Sequence, residues 1–344
     1  MTTAFHYFKW AFAVTLLGLC TSFWLGWRFG GTFAAGSSFL LICAVLAVLE
    51  ISLSFDNAIV NANKLKTMAP RWQKRFLTWG ILIAVFGMRI VFPLAIVAIA
   101  AHIGPVEAIR LAATQPQDYA RIMRESHLGI SAFGGAFLGM VALSFFLDEA
   151  KEIDWISRIE SRMRAVGSIS GVGYGLVLAL VLIVGMQLGT TDQATFFMAA
   201  ILGLVVFMGV EALAHLLDGR RAVKDAARAG GFGAFLYLEM LDASFSFDGV
   251  IGAFALTNNL FLIAIGLGIG AMYVRSMTIM LVERKTLSQF RFLEHGAFYS
   301  ILALSVVMFA QSLVHVPEVV TGLIGAGIIA LSLVSSLRFN RLAV

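Results

Sequence analysis

The sequence predicts an all-α polytopic membrane protein, and three observations carry that reading. Of 344 residues, 60% are hydrophobic and 13% charged, and the mean hydropathy is +0.90, a balance that leaves too little polar surface for a water-soluble fold. Apolar runs of about 20 residues, the length that crosses a bilayer as a helix, recur from one end of the chain to the other. The basic residues, finally, are shared very unevenly between the connections.

The runs fall at roughly 10–28, 37–62, 76–100, 129–147, 170–190, 194–216, 233–257, 260–281, 297–314 and 318–337, so about ten transmembrane helices are expected within one transmembrane domain, 1–344. If both termini share a side, that side collects nineteen basic residues: Lys9, Lys64, Lys66, Arg71, Lys74, Arg75, Lys151, Arg158, Arg162, Arg164, Arg220, Arg221, Lys224, Arg228, Arg284, Lys285, Arg291, Arg338 and Arg341. The other side receives Arg28, Arg110, Arg121 and Arg124. The positive-inside rule then places both termini in the cytoplasm. Arg89 and Arg275 remain, and both fall inside spans.

The first run precedes the small residues of "GTFAAGS" and so has the outline of a signal peptide. Its single preceding Lys and its length favour a first span instead. The net charge of +5 is spread over short cytoplasmic loops and implies no nucleic acid. Cys20 and Cys43 both lie in apolar runs, which excludes a disulfide framework or thiolate metal site.

Two stretches break the apolar pattern. "LEISLSFDN" (Leu49–Asn57) and "LDASFSFDG" (Leu241–Gly249) align without a gap at an offset of 192 residues, with Leu, two Ser, Phe and Asp identical and Glu50 matched by Asp242. A carboxylate inside a span costs at least about 2.5–3.5 kcal/mol, so its duplication needs a reason. The stretches lie in the second and seventh runs, five spans apart, and an odd offset inverts their orientation. The pattern predicts two inverted-topology repeats, about 10–190 and 194–340. Each motif run is followed by one that carries a lone Arg, Arg89 or Arg275.

Five acids, Glu50, Asp56, Glu239, Asp242 and Asp248, face these two arginines, leaving three negative charges without a partner if all ionise. Packing alone does not explain the surplus. Protons or a bound metal ion would balance it. Ser52, Ser54, Ser244, Ser246, Asn57 and Asn61 complete an all-oxygen environment that suits Mg²⁺, Ca²⁺ or Mn²⁺. His6, His102, His127, His215, His295 and His315 lie at or near span ends and read as interfacial residues. At 100° per residue, Glu50, Ser54, Asn57 and Asn61 share a helical face from which Asp56 points about 120° away, as Asp248 does from Asp242. A break in each motif helix is therefore expected, aiming both acids at one ion.

Between the runs, "PVEAIRLAATQPQDYARIMRESH" balances its charges around Pro116 and reads as a solvated helical hairpin or cap. "DEAKEIDWISRIESRMR" spaces Ile153, Ile156, Ile159 and Met163 as an amphipathic helix at the inner surface. The Gly-rich "GVGYG", "GLGIGAM" and "GLIGAG" permit close helix approach and have no phosphate-loop meaning here.

At its acidic stretches the chain resembles the TerC-like integral membrane family, named for tellurium resistance and similar to the wider group of LysE-type exporters. The resemblance rests on Glu50, Ser54, Asp56, Asn57, Asp242, Ser246 and Asp248, and beyond them on span number and order. It implies metal-binding acids at those positions and manganese export across a bacterial inner membrane. Gly249 stands where the first motif has Asn57, so the halves need not contribute equally. The expectation is a divalent-cation transporter, an Mn²⁺ exporter, with no enzymatic activity and no cofactor. Its metal ligands would be Glu50, Ser54, Asp56, Asn57, Asp242, Ser246 and Asp248, with Glu239 one turn away and Arg89 and Arg275 balancing charge. Its partners would be the ion, the bilayer and protons as counter-ion. The alternatives are a proton-coupled Ca²⁺ or Mg²⁺ transporter, a membrane scaffold in a metal-stress complex, and an intramembrane aspartyl protease. The last leaves Glu50, Glu239 and Asp242 without a role, and "GLG" at 266–268 is not followed by Asp.

Overall fold

A computed structural model describes residues 2–66, 68–80, 83–222, 231–284, 289–314 and 316–342. The side chains of residues 244–248, Ser246 and Asp248 among them, lie outside the description, as do His215, Arg220, Arg221, Lys224, Arg228, Lys285 and His315. The regular elements among the described residues are all helical. They are α1 (Thr2–Gly30), α2 (Phe33–Leu53), α3 (Phe55–Lys66), α4 (Pro70–Arg75), the π-helical turns Phe76–Gly80 and Ile83–Val91, α5 (Phe92–Ala100), α6 (Pro105–Thr114), α7 (Pro116–Glu125), α8 (His127–Phe146), α9 (Ser157–Gly167), α10 (Val172–Gly185), α11 (Thr190–Ala222), α12 (Phe232–Leu256), α13 (Leu260–Glu283), α14 (Leu293–Gln311) and α15 (Glu318–Leu342).

Helix occupies the body of every apolar run. Among the described residues seven helices, α1, α2, α8, α11, α13, α14 and α15, are long and apolar enough to cross a membrane, or up to nine if each of two bent pairs counts as one span. The 25-residue α12 falls outside that group because Glu239, Asp242 and Asp248 interrupt its apolar stretch. Large apolar side chains such as Leu16 and Leu17 on α1 and Met198 on α11 are exposed on the outside of the bundle, as expected where lipid replaces water. α8 lies at the centre, packed on α11 and α14. Phe137, Phe146, Phe196 and Phe309 are fully buried around it.

The first bent pair turns by 104° between Arg89–Ala100 and Pro105–Thr114. His102 at the corner has a φ of 53°, and Pro105 restarts the helix at its first position. The hairpin α6–α7 that follows is less solvated than its charge balance suggests: Tyr119 is fully buried, with its ring 5.9 Å from that of Phe254 on α12. It is a packed cap. The second pair bends by 108° between α9 and α10 through Gly171, whose φ of 81° favours glycine.

The amphipathic helix expected from Ile153 onward begins only at Ser157, so Ile153 and Ile156 precede it in an irregular strap. The fully buried residue of this segment is Glu160. Its carboxylate accepts hydrogen bonds from Lys151 Nζ at 2.6 Å, from the Ile156 and Trp155 amides at 3.0 and 3.1 Å, and shares one with His295 Nδ1 at 2.8 Å. Burial pushes the Glu160 carboxyl up, but the hydrogen bonds from His295, Lys151 and Ile156 outweigh burial and hold it down at about 2. His295 is therefore not an interfacial residue. It is buried at the start of α14 and ties the strap to the bundle.

Packing of the motif helices is reciprocal. α2 and α3 lie against α13, which carries Arg275, and α12 lies against the turn Ile83–Val91, which carries Arg89.

Candidate cation site

The first motif helix is interrupted once. α2 ends at Leu53 and α3 starts at Phe55, with Ser54 between them at φ −101° and ψ 16°. The Ser54 amide still bonds the Glu50 carbonyl at 3.0 Å, and its hydroxyl bonds Glu50 Oε1 at the same distance. A serine side chain that competes for nearby groups is a physical reason for a break at this point. The second motif behaves otherwise, since α12 runs unbroken from Phe232 to Leu256. The expected break is thus present in one motif and absent from the other.

Around the interruption, Glu50, Asp56, Asn57, Asn61, Arg89, Glu239 and Asp242 are all between 3% and 7% exposed. Buried groups of this kind need partners. Glu50 Oε1 forms an ion pair with the Arg89 guanidinium, whose Nε also donates to the Leu267 carbonyl at 3.2 Å. Arg275 donates in turn to the Leu77 carbonyl. Each intramembrane arginine therefore reaches a backbone carbonyl on the segment that carries the other. Room for Glu50 comes from missing side chains: a Cβ at Gly270 would lie 2.4 Å from its Cβ, and one at Gly249 3.0 Å from its Oε2.

Two small cavities flank Glu50. The first, of about 40 Å³, is lined by Glu50, Ser54, Asn57, Asn61, Arg89, Asp242 and Arg275. Asn61 Nδ2 donates to Asp242 Oδ1 at 2.7 Å, and the Asn57 side chain bonds Asp242 as well. The amide oxygens of Asn57 and Asn61, both buried, have no hydrogen-bond partner among the described residues. Two carboxylates and two orphaned amide oxygens around a cavity of this size form a set of hard donors.

The second cavity, of about 30 Å³, lies on the other side of the interruption. Asp56 reaches it and accepts from Ser300 Oγ on α14 at 2.9 Å. The structure therefore separates Asp56 from Asp242, which the aligned motifs placed at one ion, and leaves Glu50 between them. Glu239 lines neither cavity: both its oxygens lack a hydrogen-bond partner among the described residues, and Oε1 sits beside Gly80. Ser300 escaped the sequence reading because a lone Ser in an apolar helix carries no local signal. Asn61 carried one through its helical register with Glu50. Among the described residues no three His, Cys, Asp or Glu side chains converge tightly enough to hold a metal by themselves.

A third, larger cavity of about 380 Å³ opens beyond the Lys64 end of α3, bounded by Asn63, Lys64, Asp148, Lys151, Tyr237 and Glu294.

A family model described as "Protein of unknown function (DUF475)" matches residues 55–343, from the start of α3 to the end of α15. The chain belongs to that family. Its match takes in Asp56, Asn57, Arg89, Asp242, Asp248 and Arg275 and begins just after Glu50 and Ser54. No curated protein and no solved structure matches the chain.

Proposed function

We propose that this DUF475 protein is a divalent-cation transporter, an exporter of Mn²⁺, whose ion binds in the first cavity. One observation carries the reading. Between the two motif helices, Glu50, Asp242 and the orphaned oxygens of Asn57 and Asn61 surround a space of about 40 Å³. Buried oxygens without hydrogen-bond partners are costly unless something cationic satisfies them. Oxygen donors alone favour Mn²⁺, Mg²⁺ or Ca²⁺ over softer ions. Ser54 adds a hydroxyl to this set; Ser246 and Asp248, expected as ligands from the sequence, have side chains outside the described residues. Arg89 stands in for the ion's charge on Glu50 until the ion arrives.

Reciprocal packing of each motif helix on the other half's arginine segment supports two inverted-topology repeats, and the proposed count of ten spans takes α12 and the two bent segments as spans alongside the seven long apolar helices among the described residues. The cavity at Asn63 and Lys64 lies at the Lys64 end of α3 and would serve as the cytoplasmic approach in this reading, in which the positive-inside rule puts both termini in the cytoplasm. Resemblance of the acidic stretches to TerC-like exporters favours Mn²⁺ and a bacterial inner membrane.

Reconstituted protein in vesicles loaded with Mn²⁺, competed by Ca²⁺ and Mg²⁺, tests the reading directly. Flux that saturates with Mn²⁺ and disappears in Asp242→Asn is expected. Purified protein whose melting temperature ignores all three ions, as a scaffold's would, overturns it.

A further inference from the structure

The second cavity is a site in its own right. It is bordered by α2, α3, α12, α14 and α15, and its polar lining consists of Glu50, Ser52, Ser54, Asp56, Ser300 and Thr321. Asp56 and Ser300 are buried and bonded to each other at 2.9 Å. Thr321 on α15 is 7% exposed, and its Oγ1, on a side chain that borders the cavity, has no hydrogen-bond partner among the described residues. A threonine hydroxyl inside a helix ordinarily bonds the carbonyl one turn back, as Thr278 Oγ1 does to Val274 at 3.0 Å. Thr321 does not.

Glu50 divides its carboxylate between the two cavities. Oε1 pairs with Arg89 and Ser54, and Oε2 is the atom nearest to where a Gly249 Cβ would lie. Glycine at 249 thus keeps a carboxylate oxygen accessible from the second cavity. Gly325 does the same for the hydroxyl bonded to Asp56, since a Cβ there would come within 2.7 Å of Ser300 Oγ.

Charge decides what fits. Asp56 lines the second cavity and has no ion-pair partner among the described residues, while Arg89 pairs with Glu50. A cation in the first cavity does not reach Asp56, so the second cavity offers a carboxylate that a cation of its own would balance. A cavity of about 30 Å³ holds roughly one water-sized body, so the occupant sheds most of its hydration shell. Asp56, Glu50, Ser300 and Thr321 supply the oxygens that replace that shell around a small alkali cation.

We propose that this second cavity binds Na⁺, held by Asp56, Ser300, Thr321 and the Oε2 oxygen of Glu50. The site's role as the coupling-ion station of the transporter rests on the reading above, but its existence does not. Because Glu50 serves both cavities, an ion in one alters the charge and position of a ligand of the other, which is the physical requirement for coupling two ions.

The test is a melting curve of the full purified chain in detergent, in choline chloride without Na⁺ or divalent ions, titrated with NaCl, with KCl and separately with MnCl₂. NaCl is expected to raise the melting temperature in a saturable way and KCl to raise it less. Thr321→Val keeps the side-chain shape and should weaken the Na⁺ response by roughly tenfold, the loss expected for one hydroxyl contact to a charge. Thr321→Ser should restore it, and both variants should keep the Mn²⁺ response of the parent. A melting temperature equal in NaCl and choline chloride, or one that follows pH alone, overturns the proposal, as does an unaltered Na⁺ titration in Thr321→Val. The two readings fail separately. An Mn²⁺ response without a Na⁺ response sinks only the second site, and the reverse sinks only the divalent one.

Discussion

The two acidic motifs share five of nine residues yet take different backbone shapes. The first is interrupted at Ser54, and the second runs through α12 without a break. In the first, the interruption lets Glu50 and Asp56, six residues apart, both border the second cavity, which an unbroken helix would disfavour by pointing them 120° apart. In the second, Asp242 faces the first cavity while Gly249 faces the second, so the continuous helix spreads its contribution over both. Two similar stretches thus present different groups to the two cavities. The broken copy supplies the shared carboxylate, and the straight copy supplies the fixed wall against which Asn57 and Asn61 are held.

The largest expected effect comes from removing the tie of the broken motif. Arg89 pairs with Glu50 inside the bundle, whereas Arg275 donates to a backbone carbonyl. Deleting one partner of a buried ion pair leaves an unpaired charge and costs about 3–5 kcal/mol, and losing a hydrogen bond from a charged donor costs about 1.5–3 kcal/mol. Arg89→Ala should therefore lower the melting temperature and yield of folded protein more than Arg275→Ala. Adding Glu50→Gln to Arg89→Ala should recover part of the loss. Equal damage from the two arginine variants, with no recovery in the double variant, would show that Glu50 is not the group Arg89 neutralises.

Next in size is the loss of charge on the straight motif. Asp242→Asn keeps the shape and the hydrogen bond from Asn61 but removes the carboxylate that faces the orphaned amide oxygens. Mn²⁺ should bind about a hundredfold more weakly, equivalent to about 2.7 kcal/mol. Asp248→Asn, six residues further along the same helix, should be non-additive with it if that acid joins the same ion, and additive if it does not. Asp56→Asn, in the other cavity, should change Mn²⁺ affinity less than either. Calorimetric titration of the three variants with MnCl₂ ranks them, and an Asp56 effect as large as that of Asp242 would merge the two cavities into one site.

Much of this was legible in the sequence and some of it was not. Hydropathy located the helices because a bilayer tolerates only backbones that satisfy their own hydrogen bonds. The surplus of acids over arginines raised the expectation of a bound cation or protons, and helical register put Glu50, Ser54, Asn57 and Asn61 on one face, all four of which line the first cavity. Register did not reveal that only one motif would break, since "SLSFDN" and "SFSFDG" carry nearly the same local preferences and packing against neighbours decides. Ser300 and Thr321 gave no signal at all. Their importance arises from where α14 and α15 pass Asp56, a contact between residues more than 200 positions apart. The Glu160–His295 pair was hidden in the same way, across 135 positions.

A smaller effect tests the interruption itself. Ser54 donates to Glu50 Oε1 and borders both cavities. Ser54→Ala removes that bond while improving helix propensity, so the net loss of stability should be about 1 kcal/mol or less. Mn²⁺ affinity should fall severalfold through the freer carboxylate. If the variant binds like the parent, the interruption does not orient Glu50.

The smallest effect is expected where the repeats do not correspond. At the offset of 192 residues Glu239 aligns with Ala47, so the acid belongs to the straight motif alone. It lines neither cavity, and its two oxygens have no hydrogen-bond partner among the described residues. A buried carboxyl in that position contributes nothing by contact and costs stability whenever it ionises. Glu239→Gln keeps the volume against Gly80 and removes the ionisable group, so the melting temperature should hold or rise slightly and Mn²⁺ affinity should stay within a few-fold of the parent. Transport is the more sensitive readout, because an acid beside the π-helical turn Phe76–Gly80 is placed to act on ion or proton access while leaving binding intact. Slower Mn²⁺ flux at unchanged affinity, with an altered pH profile, would assign it that role. A collapse of affinity to the level of Asp242→Asn would instead extend the first cavity to Glu239 and make the straight motif the dominant ligand.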